Sequence, residues 1–406
     1  MSDSTFYVTT PIYYVNGKPH LGHAYTTLAA DLMARYWRAR SRDVHFLTGT
    51  DEHGLKVMRA AEKEGITPQA IADRHMVHFQ KVNTLIGSSI DDFIRTTEPR
   101  HIQVAQELWR RVRDAGDITL GTYEGWYAPS DEAYYKEEEI EDGHAIVSGS
   151  KVEWVKESSY FFKLSTYQER LLAFYDAHPH FIQPESRRNE VIRFVEGGLN
   201  DLSISRTTFD WGVPVPDDPD HVMYVWFDAL TNYISALGLL SGEDNPLTRF
   251  WPASVHIVGK DIIRFHAVFW PAFLMSAGLE PPQQIWAHGW WMTEKVKMSK
   301  SKGNIVDPFT LFATYQRDVL RYFLFREIPF GNDGTFSEER ILARNNSELA
   351  NTFGNLVNRG LQMSVKFLDG IVPDVSEIPA GATDLQIQDE VAKTVAAYHE
   401  HLPALA

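Results

Sequence analysis

Cysteine is absent from this chain of 406 residues. Disulfides and every thiolate-ligated zinc site are thereby excluded, so any metal must be held by oxygen or imidazole. Long hydrophobic runs are missing as well: no apolar stretch approaches the roughly 20 residues that cross a bilayer, and Met1-Ser2-Asp3-Ser4 has none of the features of a signal peptide. A cytoplasmic protein with no membrane partner is expected. Positive charge is scarce. The formal charge of −15 argues against a protein that coats nucleic acid by bulk electrostatics. A nucleic-acid partner would have to meet local basic surface, such as residues 295–302 or Arg340, Arg344, Arg359 and Lys366. No tryptophan follows Trp291, and the segment beyond Lys366 is acidic.

The balance that remains, 44% hydrophobic and 23% charged, is that of a soluble globular chain, and the length calls for two or three domains. The chain is organised around the stretch from Thr9 to Arg40. Phe6-Tyr7-Val8 is β-prone, Asn16-Gly17 is a turn dipeptide, and Leu21, Tyr25, Leu28, Leu32 and Tyr36 recur at helical spacing. A strand therefore hands over through a glycine turn to a helix N-terminus, where backbone N–H groups and the helix dipole favour phosphate. His20 and His23 add imidazole donors, and Gly22 leaves room for a base or ribose against the backbone. The same two histidines read equally well as plain helix caps. Zinc is disfavoured, because helical zinc sites place His at i and i+4 with a Glu.

Residues 44–47 read as a second strand that runs into Thr48-Gly49-Thr50-Asp51-Glu52-His53-Gly54. Past a strand end of an open α/β sheet, Asp51 is either a holder of a cationic group or a solvated loop acid. Residues 55–114 read as helices, with His75 and His78 on their surface. From residue 114 to about 220 the chain turns strand-rich, with an acidic run at 137–142 and a Pro/Asp-rich exit at 213–219, the marks of an inserted domain. The nucleotide fold resumes at 223–230, although an aromatic row of this kind is more often core than pocket. Residues 255–258 form a strand that ends in Gly259-Lys260-Asp261, which lacks the glycine and the Ser or Thr of a Walker loop, and a helix follows from Ile262 toward Ser276. Residues 284–287 form another strand, ending in His288-Gly289. Beyond the lysine- and serine-rich loop Lys297-Met298-Ser299-Lys300-Ser301, helices follow from Asp307. A helix hairpin carries Asn355 and Arg359, and these two read equally as polar residues on its wet face.

The N-terminal Pro-x-x-x-x-Asn-Gly-x-x-His-x-Gly-His and the downstream Lys-Met-Ser-Lys-Ser together resemble the two signatures of class I aminoacyl-tRNA synthetases. The similarity is greatest to the methionyl-tRNA synthetases and runs along nearly the whole chain. It implies an α/β fold: a Rossmann-like nucleotide-binding domain in two halves, 1–114 and 222–295, with an inserted strand-rich connective-peptide domain at 115–221. A junction with the lysine loop at 296–340 and a partial α-helical anticodon-binding domain at 341–406 complete it. The implied activity is ATP-dependent conversion of L-methionine to methionyl-adenylate, with Mg²⁺ accompanying ATP, and transfer to tRNA(Met). The resemblance makes His20, His23, Lys297 and Lys300 catalytic and assigns ATP to Gly22, Gly259, Asp261, His288, Met298 and Lys300. It assigns methionine to Ile12, Tyr14, Asp51, Trp226, Ala229, Tyr233 and His266, with Asp51 on the ammonium and the rings around a polarizable thioether. Asn355 and Arg359 fall where relatives read the anticodon.

Two departures stand out. Many relatives hold zinc on cysteines in a knuckle whose counterpart here, residues 126–133, has none, so no structural zinc is expected. The tail stops short of the family's helical bundle and lacks its anticodon-stacking tryptophan, so a truncated chain with impaired charging is expected. Another class I synthetase, a nucleotidyltransferase, and a silent tRNA-binding relative are the competing readings. The insertion is too short for the large editing domain of the isoleucine, leucine and valine enzymes, and the intact histidines and loop lysines argue against silence.

Overall fold

A computed structural model of the chain describes residues 5–129, 133–293, 296–297, 306–371, 374, 376 and 378–405. Thr5–Thr9 is nearly all buried, as a strand flanked on both sides must be, and it pairs in parallel with Asp43–Asp51 and with Val255–Gly259. Ile285–His288 and then Ile182–Gln183 extend the sheet beyond Val255–Gly259. On the other side, Asp92–Arg95 and the short Tyr13–Tyr14 both pair with Asp43–Asp51. All seven strands are parallel, which is the α/β architecture expected. The helix Leu21–Ala39 packs on Thr5–Thr9 and Asp43–Asp51 through Leu21, Tyr25, Leu28 and their neighbours. Elsewhere Trp109 meets Phe227 edge to face and Phe227 packs at a tilt on Phe273 in the main apolar core.

Two strands correct the sequence reading. Asp92–Arg95 interrupts the run read as helical, between helices Pro68–Ile86 and Pro99–Asp114. Its four residues are too few to show an alternation. Within the stretch read as inserted and strand-rich, Ile118–Ala128 and Glu153–Phe162 do form a long antiparallel ribbon. The chain then makes two helices, Gln168–Ala177 and Glu185–Glu196, and between them Ile182–Gln183 joins the parallel sheet. The second part of that stretch is therefore more helical than expected, and it shares the nucleotide fold's sheet.

Gly49 is required by the strand contact: a Cβ there would lie 2.1 Å from the carbonyl oxygen of Ile94. The helix expected from Ile262 starts as a 3-10 turn at Lys260–Ile262, widens to a π-turn at Phe265–Phe269 and continues as Trp270–Ser276.

The chain forms two compact units, Met1–His288 and Gly289–Ala406. In the second, Trp291–Thr293 pairs with Val296–Lys297 and with Gly334–Thr335. Helical turns run on from Glu338 to Leu368 and a last helix spans Ala382–His401. Arg340 and Arg344 clasp Glu327, and Arg344 also holds Glu348. These two arginines, read from sequence as open basic surface, are thus engaged in ion pairs. Among the described residues no helix is long and apolar enough to cross a membrane.

Candidate active site

The helix that starts at Leu21 is capped by histidines in both directions. The Gly22 N–H donates to Nδ1 of His20 at 3.0 Å, and the His20 N–H donates to Nδ1 of His23 at 3.0 Å. A ring nitrogen that accepts a hydrogen bond carries no proton, so each neutral imidazole is protonated at Nε2 and is a donor there. The capping and donor readings therefore describe the same two rings, which lie 3.8 Å apart. Tyr13 and Phe79 hold the His23 ring edge-on. Gly22 serves this packing directly: a Cβ would lie 2.8 Å from Cε1 of His20, so the bare position admits the imidazole.

The strands Val255–Gly259 and Ile285–His288 end in register, with Gly259 opposite His288 and Asp261 two residues on. The Thr26 hydroxyl donates to the Gly22 carbonyl at 3.0 Å and meets Nε2 of His288 at 2.7 Å. With its proton committed to Gly22, Thr26 accepts from His288. One chain of hydrogen bonds thus joins the histidine-capped helix to the far strand end, bringing together Gly22 and His288 from opposite ends of this unit's sequence.

Tyr14 and Asp51 are neighbours in register, and Asp51 is buried at the end of its strand. From Tyr14 a series of aromatic contacts leads inward. Its ring meets Trp226 edge to face at 6.5 Å, and Trp226 stacks on Phe265 at 3.8 Å and meets His266 at 6.1 Å. Tyr233 donates its hydroxyl to Nε2 of His266 at 2.7 Å, while Nδ1 of that ring donates to the Ile262 carbonyl at 2.9 Å. Burial pushes the His266 imidazole down to about 4, so it is neutral at ordinary pH, as both hydrogen bonds require. Ala229 lies one turn beyond Trp226, and Ile12 abuts Gly49. The sequence-predicted residues for an amino-acid side chain are therefore brought together. Trp226 Nε1 is buried with no partner among the described residues.

Sequence reasoning missed the residues that hold this pocket's frame. The Glu52 carboxylate, fully buried, accepts from Thr50 at 2.7 Å, Thr97 at 2.5 Å and Arg95 at 2.8 Å. Trp211 donates its indole N–H to the Glu52 carbonyl at 2.6 Å. Next in chain, His53 donates from Nδ1 to Asp228 at 2.7 Å, and His101 donates from Nε2 to the other Asp228 oxygen at 2.6 Å. Burial alone would raise the Asp228 carboxyl; the two histidines overcome it and hold it at about 2, an ionised acid with no solvent contact. The only signal in sequence was the proximity of Glu52 and His53 to Asp51, since all their partners except Thr50 lie far along the chain.

The backbone of Lys297 is paired in its short strand, while its side chain, Met298 and Lys300 lie outside the described residues. Asn355 and Arg359 stand one turn apart, both exposed, on the helix Asn355–Leu368. Among the described residues no group of three or more His, Asp or Glu side chains stands as a metal would need.

Comparison with known proteins bears on the fold and the family of the chain. The profile of a family described as tRNA synthetases class I (M) matches residues 6–143 and 135–361. The chain is similar to the methionine–tRNA ligase of Rhizobium meliloti, 57% identical over 374 residues that cover 91% of this chain and 72% of that protein. Similarity to the Mycobacterium leprae ligase is 54% over 386 residues, covering 94% and 72%. The solved structure of Mycobacterium tuberculosis methionyl-tRNA synthetase in complex with methionyl-adenylate superposes with a TM-score of 0.95 at 51% identity, over 99% of this chain and 80% of that one.

Proposed function

The chain belongs to the methionyl-tRNA synthetases, within the class I tRNA synthetases, and from that premise we propose how its residues divide the ATP-dependent activation of methionine and its transfer to tRNA. A carboxylate oxygen of methionine attacks the α-phosphorus of ATP in line. The bond to the bridging oxygen breaks, and pyrophosphate leaves as the acyl-adenylate forms. The step needs little proton transfer, so its rate comes from positioning and from spreading positive charge over the phosphates.

Asp51 holds the α-ammonium, a charge-assisted contact inside a buried site. Tyr14, Trp226, Ala229, Tyr233, His266 and Ile12 bound the thioether, for which polarizable sulfur against rings is a good match. His20 and His23 meet the phosphates with their Nε2–H donors at the helix N-terminus, where the helix dipole adds to the attraction. Gly22, Gly259, Asp261 and His288 take the adenosine. Lys297 and Lys300, with Met298 between them, close on the triphosphate as charge develops there.

Magnesium would come with ATP and would supply positive charge to its phosphates, and a metal carried in this way would need no preformed protein cage. In the second step a terminal ribose hydroxyl of tRNA(Met) attacks the acyl carbon and AMP leaves. Asn355 and Arg359 read the anticodon, and the reaction takes place in the cytoplasm.

The observation that carries this reading is the buried Asp51 beside Tyr14 at a strand end, in line with the Trp226–His266–Tyr233 wall. Pyrophosphate exchange measured across the amino acids tests it. Methionine should drive exchange strongly and norleucine and ethionine weakly, with leucine very poor. Equal exchange with leucine would contradict the pocket, although one methylene alone distinguishes substrates by only about 1–3 kcal/mol.

A further inference from the structure

Asp51 itself makes only part of an ammonium site; its carboxylate must also stand at a fixed distance from the wall that receives the thioether. Asp51 ends one strand, whereas Trp226 and Ala229 lie on the short helix Val225–Leu230, far along the chain. Asp228, on that same helix, accepts from His53, two residues past Asp51. Both ends of the link are buried: Asp228 has no solvent exposure and His53 is 5% exposed. His101, from the helix Pro99–Asp114, takes the other carboxylate oxygen, and its Nδ1 meets the Ser235 hydroxyl at 2.8 Å. On the Asp51 side, Trp211 packs edge to face on His53 at 5.4 Å and accepts the Gly54 N–H at 3.0 Å.

None of these groups belongs to the proposed contacts with methionine or ATP. A fully buried carboxylate clasped by two imidazoles is costly to assemble unless every bond is made. A hydrophobic pair would give stability at less risk. What the hydrogen-bonded carboxylate supplies beyond stability is direction, since hydrogen bonds at 2.6 and 2.7 Å admit little sliding.

We propose that the His53–Asp228 contact is a positioning clasp that sets the reach between the ammonium-binding carboxylate and the thioether wall, and so determines how strongly the α-ammonium is recognised. This rests on the assignment of Asp51 to the ammonium. His53→Ala removes the donor; His53→Asn restores an N–H close to the position of Nδ1.

The test compares two competitive inhibitors of methionine-dependent pyrophosphate exchange: methioninol, which keeps the amine, and 4-methylthio-1-butanol, which lacks it. The unaltered protein should prefer methioninol. In His53→Ala that preference should shrink at least about tenfold, the scale of a misdirected charge-assisted hydrogen bond, while His53→Asn recovers most of it. Affinity for ATP, measured in parallel, should change little.

A purely structural role would weaken both inhibitors and ATP alike in His53→Ala, and that result overturns the clasp. Should His53→Ala not fold, His53→Asn and Asp228→Asn carry the comparison: near-normal preference in the first and a reduced one in the second is expected, and equal preference in both overturns the proposal. Asp51→Asn separates the two levels of argument. If it keeps the preference for methioninol, the ammonium assignment itself fails; if it loses the preference but His53→Ala does not, only the clasp fails.

Discussion

His266 illustrates how burial selects a protonation state and then depends on it. Its imidazole sits at about 4 in the folded chain against an ordinary value of 6.5, because burial disfavours the cation. Between those values the unfolded chain binds a proton that the folded chain refuses, so stability falls as pH drops from 6.5 toward 4. His256, stacked on Tyr233 at 4.0 Å, is lowered for the same reason and adds to the effect. The melting temperature should therefore decline over that window, and His266→Gln, which cannot take up the proton, should decline less steeply. An identical slope in the two proteins would show that His266 does not titrate on unfolding. His266 and Tyr233 were singled out by the family resemblance, because an aromatic row by itself reads as core. Asp228 was not: within Trp226-Phe227-Asp228-Ala229 nothing distinguishes a buried acid from a helix's wet face, and its partners His53 and His101 become neighbours only through the sheet and the helix packed on it.

At the scale of elements, two glycines make the account testable because an added methyl would meet different things. At Gly49 it would strike the Ile94 carbonyl of the adjacent strand, which cannot swing aside. Gly49→Ala should cost about 1–3 kcal/mol or more in unfolding free energy, a strand-packing defect seen in denaturant titration. At Gly22 the methyl would meet only the His20 ring, which can rotate away at the expense of the helix cap. Gly22→Ala should cost only about 1 kcal/mol of stability, as lost caps do, yet reduce pyrophosphate exchange at least about tenfold through the displaced donor. If exchange were unaffected, the His20 ring would not be placed for phosphate.

Periodicity exposed the first helix and the strands of 5–9, 43–51, 255–259 and 285–288, since each carries its own run of buried residues. It gave no warning of Asp92–Arg95 or Ile182–Gln183. Asp92–Arg95 has one buried residue among partly exposed ones and Ile182–Gln183 is two residues long, so neither has a pattern of its own; both exist because a neighbouring strand supplies the hydrogen bonds.

For the whole molecule, charge is the governing constraint. A chain with net charge −15 must meet tRNA through few, local contacts, and two arginines that looked available are committed to Glu327 and Glu348. Raising salt should therefore raise the KM for tRNA in the charging reaction with a shallow slope, of order two or three phosphates' worth, while the KM for methionine in exchange stays nearly flat. A steep slope would mean that a larger basic surface engages the nucleic acid.

The central claim is that the Asp51 carboxylate and the Tyr14–Trp226–Tyr233–His266 wall together receive methionine beside the histidine-capped helix. A crystal structure with methionine and a non-hydrolysable ATP analogue tests it most directly. The account predicts the α-ammonium within hydrogen-bonding distance of Asp51, the thioether against Trp226 and Tyr233, and the phosphates at Nε2 of His20 and His23. An ammonium bound away from Asp51, or a side chain lodged outside that wall, would contradict it.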